Sequence, residues 1–243
     1  AFSATSVVRS WDCLRRFAIR SNSFLEATPL YKHLAHLAIR FRGFFSSQGA
    51  NTEGAPCANL LILDFSYKNA RGHHHALNQL LIETGAQQGF PTTVIASRYL
   101  DSKYHSPAVL PLFRAQVYEP IEDVRSFDQK ATRIYTKTCV DILTLRQLWK
   151  SGASATILIH TTTAWHLIAV FEALAASKAN WLVNVFLMLP PSYDVPADIE
   201  VRQGAAYLRA WKFARRHNLK VRFWVENRLL AKVYRDLGLN DVE

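Results

Sequence analysis

Residues 60–89 read LLILDFSYKNARGHHHALNQLLIETGAQQG, and this stretch decides the fold. Its apolar start, Leu60–Phe65, is typical of a strand that is buried on both faces of a parallel sheet. Apolar residues then recur at helical spacing from Ala76 to Ile82, and Gly85 and Gly89 follow where a helix should end. The order of strand, polar loop and helix predicts the first unit of a nucleotide-fold domain.

Strand and helix signals alternate along the rest of the chain. We expect strands at 91–96, 115–118, 155–161, 181–189 and 221–225, helices at 127–149, 164–177, 198–217 and 227–237, and a long loop at 98–111. Helices of this length between strands imply right-handed crossovers and a parallel sheet that is covered on both faces. The predicted fold class is therefore α/β, a three-layer Rossmann-like domain with a mostly parallel sheet over residues 59–243.

Composition and charge narrow the class of protein. Apolar residues make up 49% of the 243 residues, charged residues make up 20%, and no apolar run is long enough to cross a bilayer, so we expect a cytoplasmic globular protein. Three scattered cysteines with no CxxC pair indicate structural thiols in a reducing compartment. The net charge of +10 favours an acidic partner, such as a phosphorylated sugar, an anionic lipid surface or nucleic acid.

The absence of known motifs disfavours two classes of enzyme and one class of partner. No GxGxxG follows the first strand, which disfavours an NAD-dependent oxidoreductase, and GxxxxGK[ST] is absent, which disfavours a P-loop enzyme. The basic residues are dispersed, with no RNP-like or zinc pattern, so nucleic acid is also disfavoured as a partner.

Residues 1–58 differ from the rest as a basic, Ser/Arg-rich extension and linker. An Arg-rich, Ser-rich and acid-poor leader is typical of an organelle transit segment. The mixture of apolar and basic residues in Leu30–Phe45 also suits an amphipathic helix on an anionic membrane. An extension that is not natural to the folded domain is a third interpretation, and all three stay open.

Polar residues cluster where the predicted strands end. They are Asn69, Arg71, Gly72, His73 and His74 after the first strand, His160 and Thr161–Thr163 after the fourth, and Glu226 and Asn227 after the last. Open α/β sheets bind ligands at this carboxyl edge, so we expect anion-binding donors, a general base and hydroxyl groups there. Ordinary structural roles stay open for three of them: a turn at Gly72, a buried strand end at His160 and a helix cap at Thr163.

The three consecutive histidines, His73–His75, are spread around a helix axis, so at most two of them should reach the cleft. Metal ligation from one helix favours spacing i and i+4, which this run lacks. The sequence therefore predicts no metal site.

These motifs together carry a family resemblance. The succession of strand, Gly72-His73-His74, helix, Gly89 and strand, followed later by Ile157–Thr161 and a strand ending at Pro190-Pro191, resembles the amino-terminal domain of GT-B glycosyltransferases, especially the retaining family-4-like group. Residues 227–239 are similar to the helix that precedes the crossing into the second domain of those enzymes. The resemblance covers residues 59–239.

The resemblance implies a sugar transferase in which this chain forms the acceptor side of an interdomain cleft. A nucleotide-sugar would be the co-substrate, no other cofactor is implied, and the acceptor would be a glycan, a lipid or a small molecule. The implied roles are catalysis for His73 and His160, donor-phosphate contact for Asn69, Arg71 and Gly72, and acceptor binding for His74, Thr161, Glu226 and Asn227.

The second domain of that family carries a nucleotide-sugar pocket and paired glutamates, which do not occur before Glu243. We therefore expect activity to require a C-terminal donor domain or a partner subunit. The alternative is a non-enzymatic nucleotide-fold binding domain, or one subunit of a split transferase peripheral to a membrane, which the basic extension would suit.

Overall fold

The computed structural model describes residues 59–71, 73–117, 124–148, 155–176, 181–188, 190–191 and 197–243. The predicted basic extension and Gly72 lie outside these residues. No helix within these ranges is both long enough and apolar enough to span a bilayer.

Strands and helices alternate in the order predicted. The strands are β1 (Asn59–Leu63), β2 (Thr92–Ser97), β3 (Val109–Phe113), β4 (Ala155–His160), β5 (Leu182–Leu187) and β6 (Lys220–Val225). The helices are α1 (His74–Gln87), α2 (Val124–Leu148), α3 (Ala164–Ala176), α4 (Ala197–Arg216) and α5 (Arg228–Asp236), with a 3-10 turn at Ser102–Tyr104.

The described strands form one six-stranded sheet in the order β3-β2-β1-β4-β5-β6, and every neighbouring pair is parallel. Chain order runs outward from β1 to β3, then returns to the other side of β1 and runs outward to β6. Right-handed crossovers therefore place α1 on one face of the sheet and α2, α3 and α4 on the other. The Rossmann-like, three-layer prediction is confirmed.

The inner strands are buried because both of their faces are covered. All residues of β4 are buried, as are all but the first residue of β5, and the apolar side chains of β1 are at most 2% exposed. This burial explains why their sequences are near-continuous apolar runs rather than alternating ones.

One strand prediction is wrong. The third strand lies at Val109–Phe113, so it begins within the predicted loop 98–111 and ends two residues beyond it, and 115–118 is not a strand as far as the structure describes it. Pro111 caused the error, because proline lacks the N–H that a central strand must donate. In the structure Pro111 lies opposite Ala96 on an edge strand, where that N–H is not needed.

Helix α1 continues through Gly85 to Gln87 instead of ending there. Gly85 permits close packing, since a Cβ at this position would lie 2.0 Å from Oγ1 of Thr92 at the start of β2. Gly89 has φ +75°, which suits the turn that ends the helix.

The other edge of the sheet is β6, and the last residues of the chain pair with it. Val242 forms a parallel bridge with Phe223, and Glu243 exchanges backbone hydrogen bonds with Phe223 and Val225, each of 3.0 Å. The edge of β6 is thus partly covered by the chain itself.

Candidate functional site

The strand order reverses direction between β1 and β4, which lie side by side. In open α/β sheets a crevice forms at the carboxyl ends of the two strands where this reversal occurs, and ligands bind there. Asp64 follows β1, His160 ends β4, and His73 precedes α1, so all three are carried to this crevice.

Asp64 is a fully buried carboxylate directly after β1. Both of its carboxylate oxygens lie 2.9 Å from Nδ1 of His74, and the Asn78 amide donates to Oδ2 at 2.7 Å. The N–H of Ser66 also donates to Oδ1, at 3.1 Å. His74 and Asn78 are four residues apart, so α1 presents both on one face. These donors compensate for the cost of burying a charge.

His160 is fully buried and joins this network from β4. Its Nε2 lies 3.0 Å from Oδ1 of Asn78 and 3.6 Å from Oδ2 of Asp64. The Asn78 oxygen can only accept, so the hydrogen-bond network places the His160 proton on Nε2. By the same reasoning the Asp64 carboxylate places a proton on His74 Nδ1. In the neutral rings, the lone pairs are then on His160 Nδ1 and His74 Nε2.

Thr161 links the buried network to His73 at the mouth of the crevice. Its Oγ1 lies 3.0 Å from Nε2 of His73, 3.3 Å from Nδ1 of His160 and 3.4 Å from Sδ of Met188. Thr161 has φ +52°, a conformation that is unfavourable for a β-branched residue. These contacts hold it there, and such strained residues concentrate at functional sites.

Burial and charge set the protonation of the pair at the centre. Burial alone would raise the pKa of Asp64, but the charge interaction with His160 and the hydrogen bonds from His74 and Asn78 outweigh it and lower the pKa to about 2. Burial lowers the pKa of His160 to about 4, although Asp64 opposes this shift. At neutral pH the site therefore holds an ionised Asp64 and a neutral His160.

The third histidine of the run points elsewhere. Nδ1 of His75 lies 2.8 Å from the hydroxyl of Tyr67, and its ring packs against Tyr104 at 4.8 Å between centroids. His73 and His74 face Thr161 and Asp64 respectively, so two of the three consecutive histidines join this network.

The other predicted residues lie at the same edge of the sheet but at different distances from the network. Asn69 Oδ1 accepts from the N–H of Arg71 at 2.9 Å, which shapes the loop, and Arg71 is exposed. Glu226 and Asn227 follow β6, two strand spacings or about 10 Å from β4. Asn227 caps α5 by accepting from the N–H of Leu230 at 2.9 Å. Asn227 therefore has a structural role in capping α5.

Thr163 precedes α3, where a capping residue was expected. Its Oγ1 lies 2.9 Å from Nδ1 of His166, a ring within the first turn of that helix. The hydroxyl therefore binds a side chain of the first turn.

Two residues of the network, Asp64 and Asn78, were given no role by the sequence analysis. Asp64 is the lone charged residue of the apolar run 60–65, and Asn78 follows His74 by one helical turn. An acid inside a run that is otherwise fully buried needs a buried partner, and that signal could have identified Asp64.

A separate groove of about 420 Å³ lies between α3 and α4, away from the histidine network. It is lined by Glu172, Ala205, Leu208, Arg209, Lys212, Phe213 and Arg216. Because α4 leads into the start of β6, the groove lies toward the amino edge of the sheet and does not join the histidine network.

No protein-family model matches the chain, and no curated protein matches it. Among solved structures, it is similar to the apo structure of FabMG, described as a novel type of enoyl-acyl carrier protein reductase, with 12% identity and a TM-score of 0.41. The match covers 78% of this chain and 66% of that one, so this chain spans just under two thirds of its length. A likeness this distant indicates neither activity nor substrate.

The network can act on a hydroxyl or an anion at the crevice. A half-buried His73 at the mouth can accept a proton or a hydrogen bond, which is the usual part of a histidine in acid–base chemistry. His160 and Asp64 behind it restrict where His73, His74 and Thr161 lie.

Proposed function

We propose that this chain is the acceptor-side domain of a GT-B-type glycosyltransferase, which transfers a sugar from a nucleotide-sugar to a glycan, lipid or small-molecule acceptor. The observation that carries the proposal is the contact of 3.0 Å between His73, after β1, and Thr161, after β4, at the reversal point of the sheet. It joins the two segments on which the resemblance to that family rests.

In this proposal the acceptor hydroxyl attacks the anomeric carbon of the donor while the bond from that carbon to the diphosphate oxygen breaks, and the hydroxyl proton passes to the leaving diphosphate. Negative charge then develops on the leaving diphosphate. Arg71 lies in the loop before α1, and the first N–H groups of a helix attract anions. His73 precedes α1 without a side-chain hydrogen bond that caps it. This loop supplies donors for the phosphates.

His73 and Thr161 would then lie between the phosphate loop and the acceptor. His73 would accept a hydrogen bond from a sugar hydroxyl, while the buried network behind it keeps the segments after β1 and β4 in register. The remaining stabilisation of the nucleotide-sugar must come from a donor domain or partner subunit, so turnover by this chain alone is not expected. The net charge of +10 also suits an anionic membrane surface that presents a lipid acceptor.

Amide chemical-shift mapping by NMR tests the proposal on the full chain. Titration of the ¹⁵N-labelled protein with UDP, UDP-glucose and GDP-mannose should shift the amide signals of Arg71, His73 and Thr161, with dissociation constants of about 1 mM because this domain would contact the donor from one side. UDP should affect the loop before α1, and the sugar moiety should extend the shifts to Thr161.

A matched pair of variants distinguishes site binding from general charge attraction. His73→Ala should weaken binding several-fold, whereas His217→Ala should leave it unchanged, because His217 is exposed at the amino edge between α4 and β6. Absence of shifts at the carboxyl edge with all three compounds at about 10 mM would refute donor contact by this loop. Equal shifts from UDP and both nucleotide-sugars would instead favour a simple nucleotide-binding domain.

A further inference from the structure

The structure brings the ring of His160, at the end of β4, close to the rings of two consecutive histidines, His73 and His74. His73, His74 and His160 each offer a ring nitrogen, and these nitrogens all lie within 4.8 Å of one another. We propose that this three-histidine cluster binds one divalent transition-metal ion, with zinc as the expected ion.

Hydrogen bonds prepare two of the rings as ligands. A metal-binding histidine normally donates its other N–H to a carboxylate or carbonyl group, which fixes the ring and its tautomer. His74 donates to the Asp64 carboxylate at 2.9 Å, and His160 donates to the Asn78 oxygen at 3.0 Å. The lone pairs of these rings are therefore on His74 Nε2 and His160 Nδ1.

The supporting groups also suit a cation. Asp64 is fully buried and contributes a negative charge behind the cluster, and Asn78 bonds to both Asp64 and His160. One carboxylate and one amide thereby orient two ligands from different elements, α1 and β4. Such supporting residues are needed because loosely held ligands bind metal weakly.

His73 completes the cluster and is the ring that must move. Nitrogens that bind one tetrahedral zinc ion at about 2.0–2.1 Å lie about 3.3 Å apart, so a separation of up to 4.8 Å has to contract. His73 is half-buried and precedes α1, whereas His74 and His160 are buried. The ion would replace the Thr161 hydroxyl, which lies 3.0 Å from His73 Nε2 and 3.3 Å from His160 Nδ1.

The ligand chemistry selects the class of ion. Imidazole suits zinc, copper and nickel, whereas magnesium and calcium require oxygen ligands. Three protein ligands leave a fourth position that water or a substrate oxygen can take. The expectation of no metal site from the sequence considered only the spacing within 73–75, whereas the third ligand, His160, comes from β4.

Zinc titration of the full chain tests the proposal without any sugar or nucleotide, so its result is independent of the proposed transferase function. The protein is treated with a chelator, desalted and titrated with ZnCl₂ by isothermal titration calorimetry. We expect one zinc ion per chain with a dissociation constant of about 1 µM or tighter. Co²⁺ in the same site should give the intense visible absorption of tetrahedral coordination.

Three variants assign the binding to this cluster. His73→Ala should abolish the event, Asp64→Asn should weaken it about 10- to 100-fold, and His217→Ala should leave it unchanged. Circular dichroism checks that each variant folds, and His73→Ala decides the matter if Asp64→Asn does not fold, because His73 is only half-buried. Binding weaker than about 100 µM, or zinc binding that survives His73→Ala, would overturn the proposal.

Discussion

Replacement of Asn78 by alanine should destabilise the protein by about 3 kcal/mol, because the amide bonds to two buried groups at once. Asp64 Oδ2 would lose a donor at 2.7 Å, and a hydrogen bond to a charged group contributes about 1.5–3 kcal/mol. His160 Nε2 would lose its acceptor at 3.0 Å, which adds about 1–3 kcal/mol for an unsatisfied buried donor. Since Nε2 lies only 3.6 Å from Asp64 Oδ2, a small shift of the ring would recover part of the loss.

Urea unfolding followed by circular dichroism at neutral pH measures this loss. Gln79→Ala is the matched control, because it truncates a half-buried amide of the same helix that has no part in the network, and it should change the free energy of unfolding by about 0.5 kcal/mol or less. A loss for Asn78→Ala that is below about 1 kcal/mol, or no larger than that for Gln79→Ala, would refute the reasoning.

Three further predictions test local features of the fold. Gly85→Ala should lower the free energy of unfolding by about 1–3 kcal/mol, since the new Cβ would lie 2.0 Å from Thr92 Oγ1. Thr92→Ala in the same background should restore part of the lost stability. If it restores none, the clash is not the cause of the loss. Asn227→Ala should cost about 1 kcal/mol through loss of the cap on the Leu230 N–H, and an unchanged urea midpoint would contradict that role. Burial lowers the pKa of His166 from 6.5 to about 3, so between these values the unfolded chain binds a proton that the folded chain does not. The contribution of His166 to stability should therefore fall by about 1.4 kcal/mol for each pH unit below 6.5. His166→Gln lacks this contribution, so the difference in the free energy of unfolding between parent and variant should change by about 1.4 kcal/mol per pH unit. A difference that stays constant from pH 7 to pH 5 would contradict the lowered pKa of His166.

The sheet and its crossovers could be predicted because fully buried parallel strands leave a strong sequence signal. Runs such as Leu60–Leu63 and Ile157–Ile159 have no alternation, and helices of suitable length separate them. The edge strand 109–113 could not be predicted in the same way. Its Pro111 is acceptable only on an edge, and which strand becomes an edge is a property of the whole sheet.

The location of the candidate site was predictable, but its internal connections were not. The sequence places His73, His160 and Thr161 just after or at the ends of predicted strands. All parallel strands end at the same edge of the sheet, so these residues were expected to lie together. The pairing of Asp64 with Asn78 depends on the rotation of α1 about its axis, which packing against β2 determines. Sequence spacing within 73–75 likewise could not show that β4 adds a third ring.

The two edge strands of the sheet, β3 and β6, limit the addition of strands from other chains. An open strand edge is a template for aggregation by strand addition. Pro111 interrupts the donor row of β3, and Val242 and Glu243 occupy part of the β6 row. Strand addition is therefore hindered at β3 by the Pro111 ring and at β6 by Val242 and Glu243. Removal of Val242 and Glu243 would leave β6 as the edge prone to self-association.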